Sequence, residues 1–188
     1  MVSLPKPMTA EQLSSLDLPD QRAELVRGHL IVSEPPGFQH GDVTARVTYA
    51  LSSWLREASR SSPTPLGRIV AGDSGFWIER SPDTVRAPDV AFVRQARLPA
   101  VVPVGFAQFA PNLVVEVLSP SDRAGKVLEK VADWLKAGTE LVWVIDPDRR
   151  VARAYRADGS TSTLDASRSL EGDGVLPGLT LPLIDLFD

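Results

Sequence analysis

The most apolar part of the chain, residues 112–147, has a pattern that predicts a strand, a helix and a second strand. Residues 113–118 are apolar apart from one carboxylate, and residues 141–145 are apolar throughout. Strands that are apolar on both faces are typical of the centre of a sheet that is covered on both sides. Between them an amphipathic helix is predicted over Gly125–Ala137, and the glycine that follows ends it.

Shorter elements are predicted on either side of this unit. They are a helix at Thr9–Leu16 capped by Thr9, a β-hairpin at Glu24–Val32 with its turn at Arg27-Gly28, a helix at His40–Ser59, a hairpin of Gly67–Ala71 with Gly75–Glu79, a strand at 88–93, a strand at Val151–Arg156, and a short strand near Val175. Residues 81–87 and 95–111 are predicted connectors, the second with one short helical turn. We therefore expect a single α/β domain over 1–188 with an N-terminal arm at 1–20. Its mixed central sheet would carry the His40 helix on one face and the Gly125 helix on the other.

Composition narrows the classes of protein that remain. The 188 residues are 43% hydrophobic and 23% charged, with no cysteine and a net charge of −4. No run approaches the roughly 18 apolar residues of a membrane span, so no membrane contact and a cytoplasmic location are expected. Thiolate metal sites are excluded, and the acidic balance disfavours a protein that coats nucleic acid nonspecifically. A local basic groove is still allowed, because most of the 20 basic residues are arginines.

The carboxylate inside the first central strand is Glu116. A carboxylate there costs several kcal/mol unless a cation or hydrogen-bond donors neutralise it. A second acid, Asp89, stands at the start of the strand that follows Pro88. Two carboxylates on neighbouring strands raise each other's pKa, and a divalent cation with oxygen ligands, Mg²⁺ or Mn²⁺, would relieve that repulsion.

Lys130 lies at the border of the apolar stripe of the Gly125 helix. Its long side chain can run along the core and present the ammonium near the Glu116 strand. The alternative is an ordinary border lysine that extends to water. The same stripe predicts Leu128 on the buried face and Asp133 pointing away from it.

Two further residues are weaker candidates. Glu24 opens the first hairpin and is either a surface carboxylate or an additional ligand. His40 falls on the apolar stripe of its helix, where it is either a capping or core-edge residue or a donor that lines a site. Because the chain has only two histidines, a His-rich metal site is excluded.

Several segments together resemble a known family. They are ELVRGHLIV, His40-Gly41, VRAPDVAFV, NLVVEVLSPSDR, EKVADWLKAGTELVWVIDP and VLPGLTLPLIDLF. Their order resembles the PD-(D/E)XK nuclease superfamily, with the restriction-endonuclease-like fold, and more closely the Uma-two family of restriction endonucleases. The superfamily motif has lysine two residues after the acid, where this chain has Leu118; Lys130 matches a lysine moved to the following helix.

The resemblance implies a metal-dependent endonuclease that cleaves DNA. Asp89, Glu116 and the backbone carbonyl near Val117 would hold Mg²⁺, or Mn²⁺ in its place, and Lys130 would complete the catalytic set. Glu24 and His40 match recurring family residues and are possible additional site residues. A homodimer is expected, because cutting both strands favours two copies.

Two other functions compete with this one. A catalytically silent member of the same fold, serving as a binding or assembly module, is favoured by the acidic net charge and by the lack of an obvious Lys/Arg cluster near the candidate acids. A glycosidase with two carboxylates is disfavoured, because it leaves Lys130 without a role and aromatic residues are only 6% of the chain.

Overall fold

The computed structural model describes residues 6–18 and 21–188. Its helices are α1 (Ala10–Ser14), α2 (Phe38–Arg60), α3 (Ala124–Lys136) and α4 (Ile184–Phe187), with a 3-10 turn at Gln95–Arg97. Its strands are β1 (Arg22–Val26), β2 (His29–Ser33), β3 (Gly67–Ala71), β4 (Phe76–Glu79), β5 (Thr84–Arg86), β6 (Val90–Arg94), β7 (Leu113–Val117), β8 (Leu141–Asp146), β9 (Val151–Arg156), β10 (Thr161–Asp165), β11 (Ser169–Glu171) and β12 (Thr180–Pro182). Residues 1–5 and 19–20 of the expected N-terminal arm lie outside the described residues, and the single domain over 1–188 stays a prediction.

The larger sheet has six strands in the spatial order β10-β9-β8-β7-β6-β3. β7 and β8 run parallel because α3 carries the chain back between them, and the other neighbours pair antiparallel. Every residue of β7 and β8 is buried, as expected of central strands. The predicted mixed central sheet is confirmed.

Helices cover both faces of this sheet. Because side chains alternate along a strand, β7 presents Val115 and Val117 to the face covered by α2, and Val114 to the face covered by α3. The same alternation places Glu116 on the α3 face. The predicted positions of the two long helices are therefore confirmed, and the second of them stands over the carboxylate.

The apolar stripe of α3 differs from the predicted one at two positions. Leu128 is 52% exposed, although its spacing predicts burial. Asp133 is 7% exposed, although it was expected to point away from the core. The helix is rotated so that Val131 and Trp134 face the sheet, and Asp133 is buried because it meets arginine side chains from other elements.

The β1–β2 hairpin has the predicted turn. Arg27 and Gly28 both have positive φ, 49° and 77°, as the tight two-residue turn that matches strand twist requires. A Cβ at Gly28 would also stand 2.3 Å from the Cβ of Pro7, so only glycine fits there. The predicted helix before this hairpin is confirmed as well, with Thr9 as its cap.

The predicted hairpin of Gly67–Ala71 with Gly75–Glu79 is wrong. β3 pairs with β6 in the six-stranded sheet, whereas β4 pairs with β5 in a second sheet of order β2-β1-β5-β4. The residues expected to form a connector, Thr84–Arg86, are instead a fully buried strand. Val85 of that strand packs with Leu25 of β1 in a separate small core, and this burial outweighs the local turn signal.

The C-terminal part also departs from the prediction. β9 pairs with β8 as expected, but β10, which adds a further strand beside β9, was missed. No strand forms at Val175 among the described residues; Val175 is a buried residue of the turn that joins β11 to β12.

Phe92 is a test of the core on the α2 face. It is 1% exposed and meets the Trp54 ring edge to face, with ring centroids 6.0 Å apart. We expect Phe92→Ala to lower the free energy of unfolding by about 3–5 kcal/mol. Phe38→Ala is the matched control, because Phe38 is 92% exposed and should change stability by less than about 0.5 kcal/mol. Equal effects of the two changes in urea denaturation would contradict this placement of the core.

Candidate active site

Two carboxylates meet where β6 and β7 run side by side. Asp89 immediately precedes β6, Glu116 lies inside β7, and the antiparallel register sets Val90 opposite Val115. Continuing that register by one residue brings the two acids next to each other. Both are buried, with 4% of Asp89 and 7% of Glu116 exposed.

Lys130 brings its ammonium to this pair from α3. Its Nζ lies 2.8 Å from Oε2 of Glu116 and 3.0 Å from Oε1 of Glu24, and it donates a hydrogen bond to the Ala87 carbonyl at 3.2 Å. The side chain is 20% exposed, so it does not extend freely into water. Leu118, which holds the place of the lysine in the superfamily motif, packs against the core on the α3 face.

Asp89 is held by three donors. Its Oδ1 accepts from Nη2 of Arg22 at 2.9 Å and lies 3.0 Å from Nε2 of His40, while its Oδ2 accepts from the Val117 backbone N–H at 2.7 Å. His40 lies 3.4 Å from Ser119 Oγ through its other ring nitrogen. His40 is thus at the site, and Val117 contacts Asp89 through its N–H, whereas a role for its carbonyl was expected.

Glu24 lies at the site and not on the open surface. Its side chain is 16% exposed. Oε1 accepts from the Ala87 N–H at 2.8 Å in addition to the Lys130 ammonium, and Oε2 accepts from Nη1 of Arg86 at 2.8 Å. The structure therefore brings together all five candidate side chains: Asp89, Glu116, Lys130, Glu24 and His40.

A second group of charges, which the sequence did not predict, adjoins Glu24. Asp133 accepts from Nη2 of Arg86 at 2.6 Å and from Nη2 of Arg27 at 2.8 Å. The expectation that Asp133 points to solvent is wrong, because it follows Lys130 by three residues and so shares its helix face. The spacing from Lys130 could have identified Asp133, but nothing local marks Arg86 as its partner. The sequence shows no obvious Lys/Arg cluster near the candidate acids, but in the structure Arg22 pairs with Asp89 and Arg86 pairs with Glu24.

Burial and charge act in opposite directions on the ionisable groups. Burial, with repulsion from Asp89 and Glu24, raises the pKa of Glu116 to about 7 even though Lys130 counteracts it. Burial alone would lower the pKa of Lys130, but Glu116 and Glu24 outweigh it and raise that pKa. Burial would likewise raise the pKa of Glu24, which Lys130 and Arg86 lower instead. The ammonium is therefore held firmly in its charged form.

The oxygen atoms of the two acids and of the nearby backbone are of the kind that bind a hard divalent cation. Carboxylate and backbone oxygens are the ligands that Mg²⁺ prefers, and Mg²⁺ commonly uses one or two carboxylates together with substrate phosphates. Burial is the largest cause of the raised pKa of Glu116, and a cation at this carboxylate would offset both that burial and the repulsion from Asp89 and Glu24. Within residues 6–18 and 21–188, however, no group of three or more His, Asp or Glu side chains forms a ready metal cage. A metal bound here would use the two acids and the backbone at Val117, with ligands from solvent or substrate to complete its coordination.

Comparisons with known proteins show a family and a fold for this chain. The model of the Uma2 family, described as "Putative restriction endonuclease", matches residues 10–184. A crystal structure described as "a putative nuclease belonging to DUF820 from Anabaena variabilis ATCC 29413" is similar to this chain with a TM-score of 0.82 and 23% identity, covering 96% of this chain and 98% of that one. Comparison with curated proteins gives no match. In the part of the chain that the structure describes, no helix has the length and apolar character needed to cross a membrane.

The contribution of the buried Arg86–Asp133 pair to stability can be measured by substitution. Asp133→Ala removes a buried partner of Arg86, and we expect it to lower the free energy of unfolding by about 3 kcal/mol. This is the lower end of the range for a broken buried pair, because Glu24 still neutralises part of the arginine. Glu57→Ala is the control, since its pair with Arg60 is exposed and should contribute less than about 1 kcal/mol. Comparable losses in urea denaturation would contradict the burial of this charge pair.

Proposed function

Because this chain belongs to the Uma2 family, whose model is described as "Putative restriction endonuclease", we propose that it is a metal-dependent DNA endonuclease that hydrolyses phosphodiester bonds. The observation that supports this most directly is the convergence of Lys130 and Glu116, with 2.8 Å between Nζ and Oε2, beside the strand that begins at Asp89. Two acids on adjacent strands and one ammonium from a helix form a compact set of groups that can act on one phosphate.

In this proposal Asp89, Glu116 and the backbone at Val117 hold Mg²⁺, for which Mn²⁺ can substitute. The ion supplies positive charge for the scissile phosphate and makes water a stronger acid. Arg22 and Lys130 now contact the oxygens that such an ion would use, so these flexible side chains have to share or yield them.

Lys130 supplies a positive charge to the proposed active site. Its ammonium donates hydrogen bonds only, so it can orient the attacking water or stabilise the charge that develops on the phosphate oxygens. Glu24 holds the ammonium from a second side, and His40 holds Asp89. Both residues thus position catalytic groups and need not touch the substrate.

A second candidate function, a catalytically silent binding or assembly module, has one observation in its favour. Each side-chain oxygen of Asp89 and Glu116 already contacts a protein donor, from Arg22, His40, Val117, Trp134 or Lys130. A site whose charges are satisfied in this way is stable without any ion. Metal binding therefore discriminates the two functions.

The proposal also covers the location, the substrate and the oligomeric state of the enzyme. We propose that it acts in the cytoplasm on DNA, and as a homodimer, because cutting both strands of a duplex favours two active sites with two-fold symmetry. A mass of about twice 20.3 kDa in solution by light scattering would support the dimer, and a mass of one chain would contradict it.

Cleavage by variants tests the catalytic set. We expect Asp89→Ala, Glu116→Ala and Lys130→Ala each to reduce Mg²⁺-dependent cleavage of plasmid DNA by at least about 10²-fold, as expected when a group that stabilises the transition state is lost. Glu129→Ala is the control: it neighbours Lys130 in sequence, but it is exposed and pairs with Lys126. Undiminished cleavage by the three variants would refute the assignment.

Thermal unfolding with added metal tests the site without activity. Mg²⁺ or Mn²⁺ at 100 times its Kd should stabilise the protein by about 2.7 kcal/mol, and Asp89→Asn should remove most of that effect. Asp158→Asn is the control, because Asp158 lies in the turn after β9, away from the site. A melting temperature that neither metal raises would favour the silent module.

A further inference from the structure

Helix α3 contacts both oxygens of the Glu116 carboxylate. The indole N–H of Trp134 donates to Oε1 at 2.9 Å, while the ammonium of Lys130 lies 2.8 Å from Oε2. The two residues are four apart and therefore project from the same face of the helix, one turn from each other. One rigid element thus fixes both ends of the carboxylate group.

The two contacts differ in kind. An indole N–H is a donor that neither gains nor loses charge near neutral pH, and it can satisfy only one acceptor. The Trp134 ring is fully buried and meets the Phe76 ring edge to face, with centroids 6.0 Å apart and planes at 79°. The ring cannot turn without breaking that packing, so its N–H is aimed at Oε1 in a fixed direction.

We propose that Trp134 is a positioning residue, which fixes the plane of the Glu116 carboxylate and leaves Oε2 as the oxygen available to Lys130 and to a divalent cation. The inference deepens the proposed function and rests on Glu116 serving there. Trp134 itself touches neither substrate nor ion. Hydrogen-bond partners of a ligating carboxylate commonly change metal affinity by 10–100-fold when they are removed.

The chain contains a matched control for this residue. Trp143 in β8 is also fully buried, but it packs in the core on the α2 face, and its Nε1 has no hydrogen-bond partner among the described residues. Trp143→Phe therefore removes the same side-chain atoms as Trp134→Phe, but from β8, the strand next to β7, and without removing a hydrogen bond. Any difference between the two Trp→Phe variants reports the bond to Glu116 and not the lost volume.

The experiment measures Mn²⁺ affinity by calorimetry for the wild type, Trp134→Phe and Trp143→Phe, with circular dichroism to establish that each is folded. We expect Trp134→Phe to weaken Mn²⁺ binding by at least about tenfold and Trp143→Phe to change it by less than about twofold. Equal affinities in the two variants would overturn the positioning role.

A second measurement needs neither a Trp variant nor a bound metal. In the intact protein, the indole N–H resonance of Trp134 should move when Glu116→Gln removes the charge from its acceptor, and that of Trp143 should stay in place. A Trp134 resonance that does not move overturns the inference. Should the wild type neither bind Mn²⁺ nor cleave DNA, the proposed function fails, and this resonance still decides whether Trp134 holds Glu116.

Discussion

A carboxylate in the middle of a fully buried strand needs a cation within reach, and the elements around β7 are arranged to supply one. Lys130 satisfies Glu116, but a buried ammonium is itself costly and is shared with Glu24. Glu24 in turn contacts Arg86, and Arg86 contacts Asp133. Each charge thus compensates the one before it. The series ends at Arg27, which pairs with Asp133 and is half-exposed, so that water solvates its guanidinium.

This series explains why a net-acidic protein has a nearly neutral site. The basic side chains at the centre are matched by acids, so the arginines near Glu116 do not form a free basic patch. Arg22 contacts Asp89 and Asp73, and Arg86 contacts Glu24 and Asp133. Attraction of a polyanion to such a site depends on which of these pairs opens, since a paired arginine adds little long-range field.

The sequence predicts those features that depend on near neighbours. Alternation and helical spacing identify the central sheet and the long helices, and the border position of Lys130 explains how its ammonium reaches β7. The errors arise where a distant partner decides. Asp133 is polar, and its spacing alone assigns it to solvent, but it is buried by Arg86, which lies 47 residues away. Likewise the pattern at 67–79 predicts a hairpin, yet β3 pairs with β6 in one sheet and β4 pairs with β5 in the other.

Leu118 and Lys130 lie near the same carboxylate, yet one comes from its strand and the other from the helix above it. The proposed function requires an ammonium nitrogen at the carboxylate, and a stem of four methylene groups can bring it there from more than one backbone origin. Homology between such proteins is therefore better judged by superposing side-chain tips than by aligning letters. A linear pattern that demands lysine at 118 would pass over a chain in which the ammonium reaches the acid from the following helix.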